Sequence, residues 1–196
     1  AHSSALQNST LNYTGGTLGF TNGLTAHSIG NLKGNQTITL TNNAAAAVTL
    51  TVGSNNQSAT YFGALGGAGT LVKTGTGVLT RSGATTSTGG TTVNAGTLVV
   101  TAAHTAPILV AGGTLSYLNA AIATSAVGPL TVSSGKVALD VNGTGADRVN
   151  VTGNLNFSGG SIELNTLAAP VLNTPYILMG YTGTLTGAPT IVSNSR

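Results

Sequence analysis

Cysteine and tryptophan are absent from this chain of 196 residues, and charged side chains make up only 5% of it. Without cysteine there is no disulfide frame and no thiolate metal site, which fits a bacterial secreted surface protein as well as a cytosolic one. Strong helix formers other than alanine and leucine are scarce, so helices are disfavoured throughout. Only residues 119–127, NAAIATSAV, form a candidate for a short helix.

Long apolar runs are also missing, and none approaches the roughly 18 residues of a membrane helix, so we expect no membrane insertion by this segment. The net charge is +3, and the six basic residues are scattered from Lys33 to Arg196 without a cluster. No aromatic side chains are interleaved with them, so the footprint of a nucleic-acid-binding protein is lacking. We therefore expect no nucleic-acid partner.

Short alternating apolar runs, cut at close intervals by glycine, are what the chain has in abundance. They are clearest in residues 67–100, GAGTLVKTGTGVLTRSGATTSTGGTTVNAGTLVV, and return in looser form in residues 108–117, 130–139 and 149–157. Each run predicts a strand, and each glycine a turn. Because such a unit cannot bury its apolar face alone, the copies are predicted to stack into an all-β solenoid.

The spacing of equivalent apolar positions indicates coils of irregular length. The step from Leu98 to Leu115 is about 17 residues, that from Leu115 to Val137 about 22, and that from Val137 to Leu155 about 18, all within the range of solenoid repeats. We therefore predict a parallel β-helix with coils of about 17–22 residues.

A solenoid of this kind needs no internal boundary, so residues 1–196 are predicted to form a single β-solenoid domain. Residues 130–196 would supply the C-terminal coils and a candidate cap, for which Pro170, Pro175 and Pro189 could close the stack.

The pattern within residues 67–100 is LxKxGxGxL, then a TGGT turn, then TxVxxGxL, and it resembles the autotransporter-associated β-strand repeat, also called the passenger-associated transport repeat. The flanking segments are similar to the long surface proteins in which this repeat occurs. The resemblance implies a right-handed parallel β-helix in an extracellular passenger, and it implies no activity. The matching residues are Leu71, Lys73, Gly75, Gly77, Leu79, Gly83, Thr88, Gly89, Gly90, Thr91, Val93, Gly96 and Leu98.

Arg81 departs from this pattern, because an apolar residue is usual at its position, and Thr85 and Ser87 replace the usual asparagine and aromatic residue. Strict alternation from Leu79 would point Arg81 inward, where an unpaired guanidinium costs several kcal/mol, by the order of magnitude known for buried charges. We therefore expect the strand to end or bulge near Thr80 and Arg81 to reach solvent.

Polysaccharide hydrolysis would need a converging pair of carboxylates, and the chain has only Asp140, Asp147 and Glu163. We interpret Asp147 as part of a turn with a local ion pair to Arg148. Asp140 and Glu163 alternate with apolar neighbours, so we expect them to face outward on strands. No catalytic residue is predicted.

The histidines, His2, His27 and His104, lie far apart and are expected at the surface or in turns, with His104 in a loop before Pro107. No GxSxG elbow, phosphate-binding loop, EF-hand loop or GGxGxD calcium unit occurs. We therefore predict no cofactor and no metal site.

These observations favour a non-enzymatic extracellular structural module of a secreted or cell-surface protein, either a stalk or an adhesive, filament-forming unit. One interpretation makes the chain a fragment of a longer surface protein. The other makes it a homo-oligomer in which open ends stack coil on coil. A carbohydrate-binding adhesin is the alternative, with surface glycans as partners if an outward TxT stripe kept register over several coils, and a polysaccharide-active β-helix enzyme is less favoured. The local candidates for that stripe are Thr37, Thr39, Thr41, Thr49 and Thr51.

Overall fold

The computed structural model describes residues 6–171 and 173–194, and within these ranges every helix or strand assigned is a strand. The first ten strands are β1 (Leu6–Tyr13), β2 (Ala26–Gly34), β3 (Ile38–Thr39), β4 (Thr49–Val52), β5 (Ala59–Tyr61), β6 (Leu65–Gly66), β7 (Thr70–Lys73), β8 (Val78–Arg81), β9 (Thr91–Val93) and β10 (Thr97–Val100). The others are β11 (Ile108–Ser116), β12 (Thr124–Val127), β13 (Leu130–Val141), β14 (Arg148–Val151), β15 (Leu155–Phe157), β16 (Ser161–Thr166), β17 (Met179–Tyr181), β18 (Leu185–Gly187) and β19 (Thr190–Asn194).

The named strands pair in parallel and build a β-solenoid of about seven turns, which confirms the predicted fold class. Each strand lies on the equivalent strand of the next coil, as β7 lies between β4 and β9, and β10 between β8 and β11. The long strands β2, β11 and β13 bend and contribute to two columns of the stack. The segment 67–100 supplies β7 to β10, as its glycine-cut alternation predicted.

Alternation along each strand places one set of side chains inward, where most of them form aliphatic columns. One column runs through a leucine in each of β8, β10 and β11 and then through Val137 and Ile162, all of them buried. A second begins with Leu50 and Leu71, passes through the buried Thr91, and continues through Ile108, Leu130 and Leu155. The columns form one hydrophobic core along the described part of the solenoid.

The coil length follows the prediction in the middle of the chain and grows beyond it towards the C-terminal end. Successive partners from Leu50 to Leu130 keep within the predicted spacing. Leu130 then pairs with Leu155, and Leu155 with Leu185, and each of these steps is longer than any predicted. The predicted step from Val137 to Leu155 is wrong, because Val137 pairs with Ile162. The strand signal at 149–157 lies within that one coil, which ends in β16.

The helix suggested for residues 119–127 is wrong, since β12 occupies Thr124–Val127 and pairs in parallel with β14. Before this strand, the Asn119 side chain accepts a hydrogen bond from the Ala121 N–H at 2.9 Å, and the Ala123 N–H donates to Asp147 at 2.9 Å. These contacts and the strand pairing outweigh the weak helix preference of four alanines.

Glycine allows neighbouring turns to approach more closely than any other residue would. Gly75 has a φ of 64°, and a Cβ at this position would lie 1.9 Å from the carbonyl oxygen of Gly53 in the preceding coil. Both the left-handed backbone and the close approach therefore require glycine here.

Candidate functional site

Charged and polar side chains lie inside the solenoid, although the sequence predicted a chemically plain protein with no site. Lys73 and Arg81 are each 1% exposed, and His104, Asp140 and Asp147 are also buried. Charged side chains are rarely buried without partners, so the partners of each decide what it can do.

Lys73 replaces an aliphatic residue in an inward column, between Val52 and Val93 of the adjacent coils. Its ammonium donates to the carbonyl oxygens of Thr74 at 2.5 Å and Gly75 at 3.0 Å, and to that of Ala95 in the next coil at 3.3 Å. Burial lowers the pKa of Lys73. The side chain thus holds two successive turns together.

Arg81 is also inward, and the expectation that it would reach solvent is wrong. β8 continues through Arg81, which pairs in register with Tyr61 before it and Val100 after it. The guanidinium carbon lies 5.4 Å from the centre of the Tyr61 ring, and Nη2 donates to the Gly83 carbonyl oxygen at 2.9 Å. A ring face and a main-chain oxygen therefore replace part of the water that the charge loses.

The positive charge of Arg81 persists in this setting. Burial lowers the pKa of Arg81 to about 10, and the Tyr61 hydroxyl opposes that shift. Burial likewise raises the pKa of Tyr61 to about 12, so this phenol stays neutral. Nε and Nη1 of Arg81 have no hydrogen-bond partner among the described residues.

His104 lies in the loop before Pro107, as predicted, between β10 and β11, but its side chain is buried beside the segment that follows Arg81, so the expected surface position is wrong. It forms single parallel bridges with Thr85 before it and Val127 after it, and both ring nitrogens lack hydrogen-bond partners among the described residues. Burial, with a further contribution from the Arg81 charge, lowers the pKa of His104 to about 4. The ring is therefore neutral at pH 7.

His27 does not join it. His27 lies partly buried in β2 beside Phe20, with ring centres 6.3 Å apart, and His2 falls outside the described residues.

Asp140 and Asp147 meet at the base of the 141–146 turn, and both are buried, so the outward position expected for Asp140 is wrong. Asp140 accepts from the main-chain N–H groups of Asn119 and Ala120 at 2.9 and 2.8 Å. It also accepts from the Asn165 amide at 2.5 Å. One side chain thus joins three successive coils.

Asp147 makes no ion pair with Arg148 among the contacts described, so the interpretation as a local pair is also wrong. Its oxygens accept from the N–H of Ala123 at 2.9 Å and from that of Asp140 at 2.8 Å. Burial is the main cause that raises the pKa of Asp147, and these two N–H groups oppose it. Both aspartates are occupied in holding main chain, so neither has an oxygen free of donors.

Glu163 faces outward as predicted and forms an ion pair with Lys136 on the preceding coil. It lies on β16, away from the 141–146 turn. Within residues 6–171 and 173–194, no group of three or more His, Cys, Asp or Glu side chains converges as a metal site would require.

A wall groove opens where the corner segment 101–105 and strand β12 diverge. These two segments share a single bridge at His104 and Val127, whereas the other edge of β12 pairs with β14 at four positions. Adjoining depressions of about 190, 250 and 130 Å³ follow the groove, and Tyr117 and His104 lie in its wall. The Tyr117 hydroxyl has no partner among the described residues, and burial raises its pKa.

The last described coil is the second unusual surface. Leu185 and Ile191 continue the two inward columns, yet they are 48% and 50% exposed. No described segment covers them. This terminal face, defined by Leu185 and Ile191, is apolar and carries the unpaired strand edges of β18 and β19.

On the described face that contains Thr49 and Thr51, the threonines do not continue as the regular stripe that carbohydrate or ice binding would favour. Thr49 and Thr51 lie over Thr70 and Val72 of the next coil, and Val72 lies over Thr92, which is followed by Leu109. The paired TxT arrangement therefore occurs in one coil and is not repeated in register below it.

Comparison with protein-family models, with curated proteins and with solved structures found no match for this chain. The described residues contain no helix with the length and hydropathy to span a membrane. Fold and surface together define a β-solenoid protein with polar side chains built into its core, and the last coil among the described residues has exposed inward positions.

Proposed function

We propose that this protein is a non-enzymatic, extracellular structural module: a β-helical stalk or filament-forming surface protein whose coils stack end to end. The apolar terminal face carries the proposal. A solenoid coil that ends in exposed inward positions offers both apolar area and unpaired main-chain groups to a further coil. The resemblance of residues 67–100 to the autotransporter-associated repeat supports a passenger-like role at a bacterial surface.

The first coil has the complementary arrangement for a head-to-tail contact. Leu11 in β1 pairs with Leu32, and Ile191 ends the column that runs through Leu98 and Ile162. A second copy placed with its β1 on β19 would therefore continue apolar residue on apolar residue. Such contacts are heterologous and do not close, so they generate filaments.

The carboxylates argue for structure over catalysis. Asp140 and Asp147 accept main-chain hydrogen bonds at the turn, and Glu163 pairs with Lys136 on the surface. A glycosidase needs one carboxyl group free to give a proton and another free to attack or to activate water.

Electron microscopy and sedimentation of the purified chain test the proposal. We expect concentration-dependent rods or fibres for the natural chain and monomers for Ile191→Lys, because the charge would lie in the inward column. Val192→Lys is the matched control: Val192 is the outward neighbour on the same strand and is 47% exposed, so this variant should still assemble.

Equal assembly of both lysine variants would contradict stacking through the inward column, and monomers of the natural chain at every concentration would leave only the stalk. Labelling of intact source cells with an antibody against the chain tests the surface location. Tight and selective binding on a glycan array, or hydrolysis of a polysaccharide, would overturn the structural assignment.

A further inference from the structure

The corner that contains Arg81 and His104 has more hydrogen-bond donors than acceptors. Arg81 uses Nη2 on the Gly83 carbonyl oxygen, while Nε and Nη1 have no partner among the described residues. His104 adds one ring N–H, because a neutral imidazole carries one donor and one acceptor. Both side chains are more than nine-tenths buried.

No acidic side chain neutralises this charge. Asp140 and Asp147 are bound to main-chain N–H groups at the 141–146 turn, and Glu163 pairs with Lys136. These three are all the acidic side chains of the chain. A buried cation without a counter-charge is strongly unfavourable, so this corner favours an anion from solution.

Arg81 and His104 belong to the same place in the fold. The Arg81 guanidinium lies under the Gly83 and Ala84 carbonyls at 2.9 and 3.5 Å, and the next residue, Thr85, bridges to His104. The Arg81 charge also acts on the His104 ring.

The wall groove borders this corner on its solvent side. Its depression of about 130 Å³ is lined by Ala103, His104, Thr105, Ala126, Val127 and Thr152. The bridge between His104 and Val127, with the hydrogen bond from the Gly128 N–H to the His104 carbonyl oxygen, joins the two segments there, and His104 lines the depression from the inside.

We propose that Arg81 and His104 form a buried binding site for a small monovalent inorganic anion of the halide type, which enters through the wall groove. The anion accepts hydrogen bonds from the free N–H groups of the guanidinium and from one ring N–H of His104. Its charge balances that of Arg81, so its binding stabilises the fold. A neutral water molecule would satisfy the donors but would leave the charge unbalanced.

Bromide is the probe, because it is detected by its anomalous scattering. Crystals of the full chain grown in sodium bromide should show an anomalous peak within about 3.5 Å of the Arg81 nitrogens, the reach of a hydrogen bond to a large anion. Absence of a peak at this corner, or a water-sized feature without anomalous signal, would overturn the proposal.

Thermal unfolding gives an independent measurement. At constant ionic strength, exchange of gluconate for bromide should raise the Tm of the natural chain saturably, by about 3 °C at tenfold the Kd. Arg81→Met should remove the response, and Lys33→Met, which removes an exposed cation, should keep it. An equal response in Arg81→Met and the natural chain would contradict the site. If Arg81→Met does not fold, His104→Leu takes its place with the same expectation of a weakened response.

Discussion

At the residue scale, the interior charges are positioned chiefly by main-chain groups. Lys73 reaches three carbonyl oxygens, Arg81 reaches two carbonyl oxygens and the face of Tyr61, and Asp140 reaches two N–H groups of the preceding coil. Turns of a solenoid leave such groups unpaired at every corner, so one long side chain can satisfy several of them. A charged residue in an inward column therefore acts as a brace between coils.

His104 predicts a pH dependence of stability. The pKa of its ring is about 4 in the folded protein and 6.5 in an unfolded chain. Between these values the unfolded chain binds a proton that the folded protein does not, so the free energy of unfolding falls as the pH is lowered through this window. The loss should reach about 3 kcal/mol below pH 4.

Urea unfolding between pH 7.5 and 4 in a halide-free buffer measures this effect, and His104→Gln is the control. The variant keeps a neutral polar group at the same position and should lack this part of the pH dependence. Parallel curves for the two proteins would show that His104 is not buried as a neutral ring.

At the scale of the strand and turn, the close approach of successive corners fixes where glycine is needed. Gly75 and Gly16 both have positive φ values, 64° and 80°. A Cβ on Gly75 would lie 1.9 Å from the Gly53 oxygen, whereas a Cβ on Gly16 would meet nothing within 4 Å. An alanine at Gly16 would therefore suffer backbone strain alone, whereas an alanine at Gly75 would suffer both backbone strain and a collision with the preceding coil.

We expect Gly75→Ala to destabilise the protein by several kcal/mol, because the strands β7 and β8 must move away from the preceding coil. Gly16→Ala should cost only about 1 kcal/mol, the usual penalty for alanine in the left-handed region. Denaturant midpoints of the two variants measure the difference. Similar midpoints would mean that the coils do not approach as closely as described.

Strands and turns in residues 67–100 could be predicted from the sequence because alternation and glycine act locally. Lys73 and Arg81 share the parity of Leu71 and Leu79, and Arg81 follows Tyr61 by the length of one coil. The shared parity indicates that Lys73 and Arg81 point inward, and the spacing of one coil indicates that Arg81 lies over the Tyr61 ring. Alternation does not reveal the main-chain carbonyl oxygens that accept hydrogen bonds from a buried cation. The prediction that Arg81 would reach solvent was wrong for this reason.

Asp140 shows the limit of alternation at the end of a strand. Leu139, Asp140 and Val141 are all buried in β13, because the 141–146 turn folds back and brings Asp147 against Asp140. The only sequence signal for this contact was one aspartate at each end of a short, turn-like segment that contains NGTGA. The helix suggested for residues 119–127 failed for a related reason, since its partner strand β14 comes later in the chain.

At the scale of the whole molecule, stability should decline from the middle of the stack to its exposed end. β10 pairs on both edges, with β8 and β11, whereas β19 pairs on one edge only, with β16. Local opening requires less free energy where backbone hydrogen bonds and apolar contacts are fewer.

Amide hydrogen exchange followed by mass spectrometry should therefore show slow exchange in β8 and β10 and fast exchange in β18 and β19. If the chain assembles end to end, the protection of β19 should rise with protein concentration while that of β10 stays constant. Uniform exchange at all concentrations would contradict both the gradient and the assembly.

The lengthening of the coils towards the C-terminal end indicates where the solenoid tolerates an inserted segment. The strands stay aligned although more residues separate Thr166 from Met179 than separate their partners Val141 and Val149 in the preceding coil, so strand pairing tolerates connections of different length. A foreign peptide or a compact guest domain grafted there would be displayed sideways without rethreading the interior. A longer connection at this position can thus accommodate an inserted segment while the strands of the neighbouring coils keep their register.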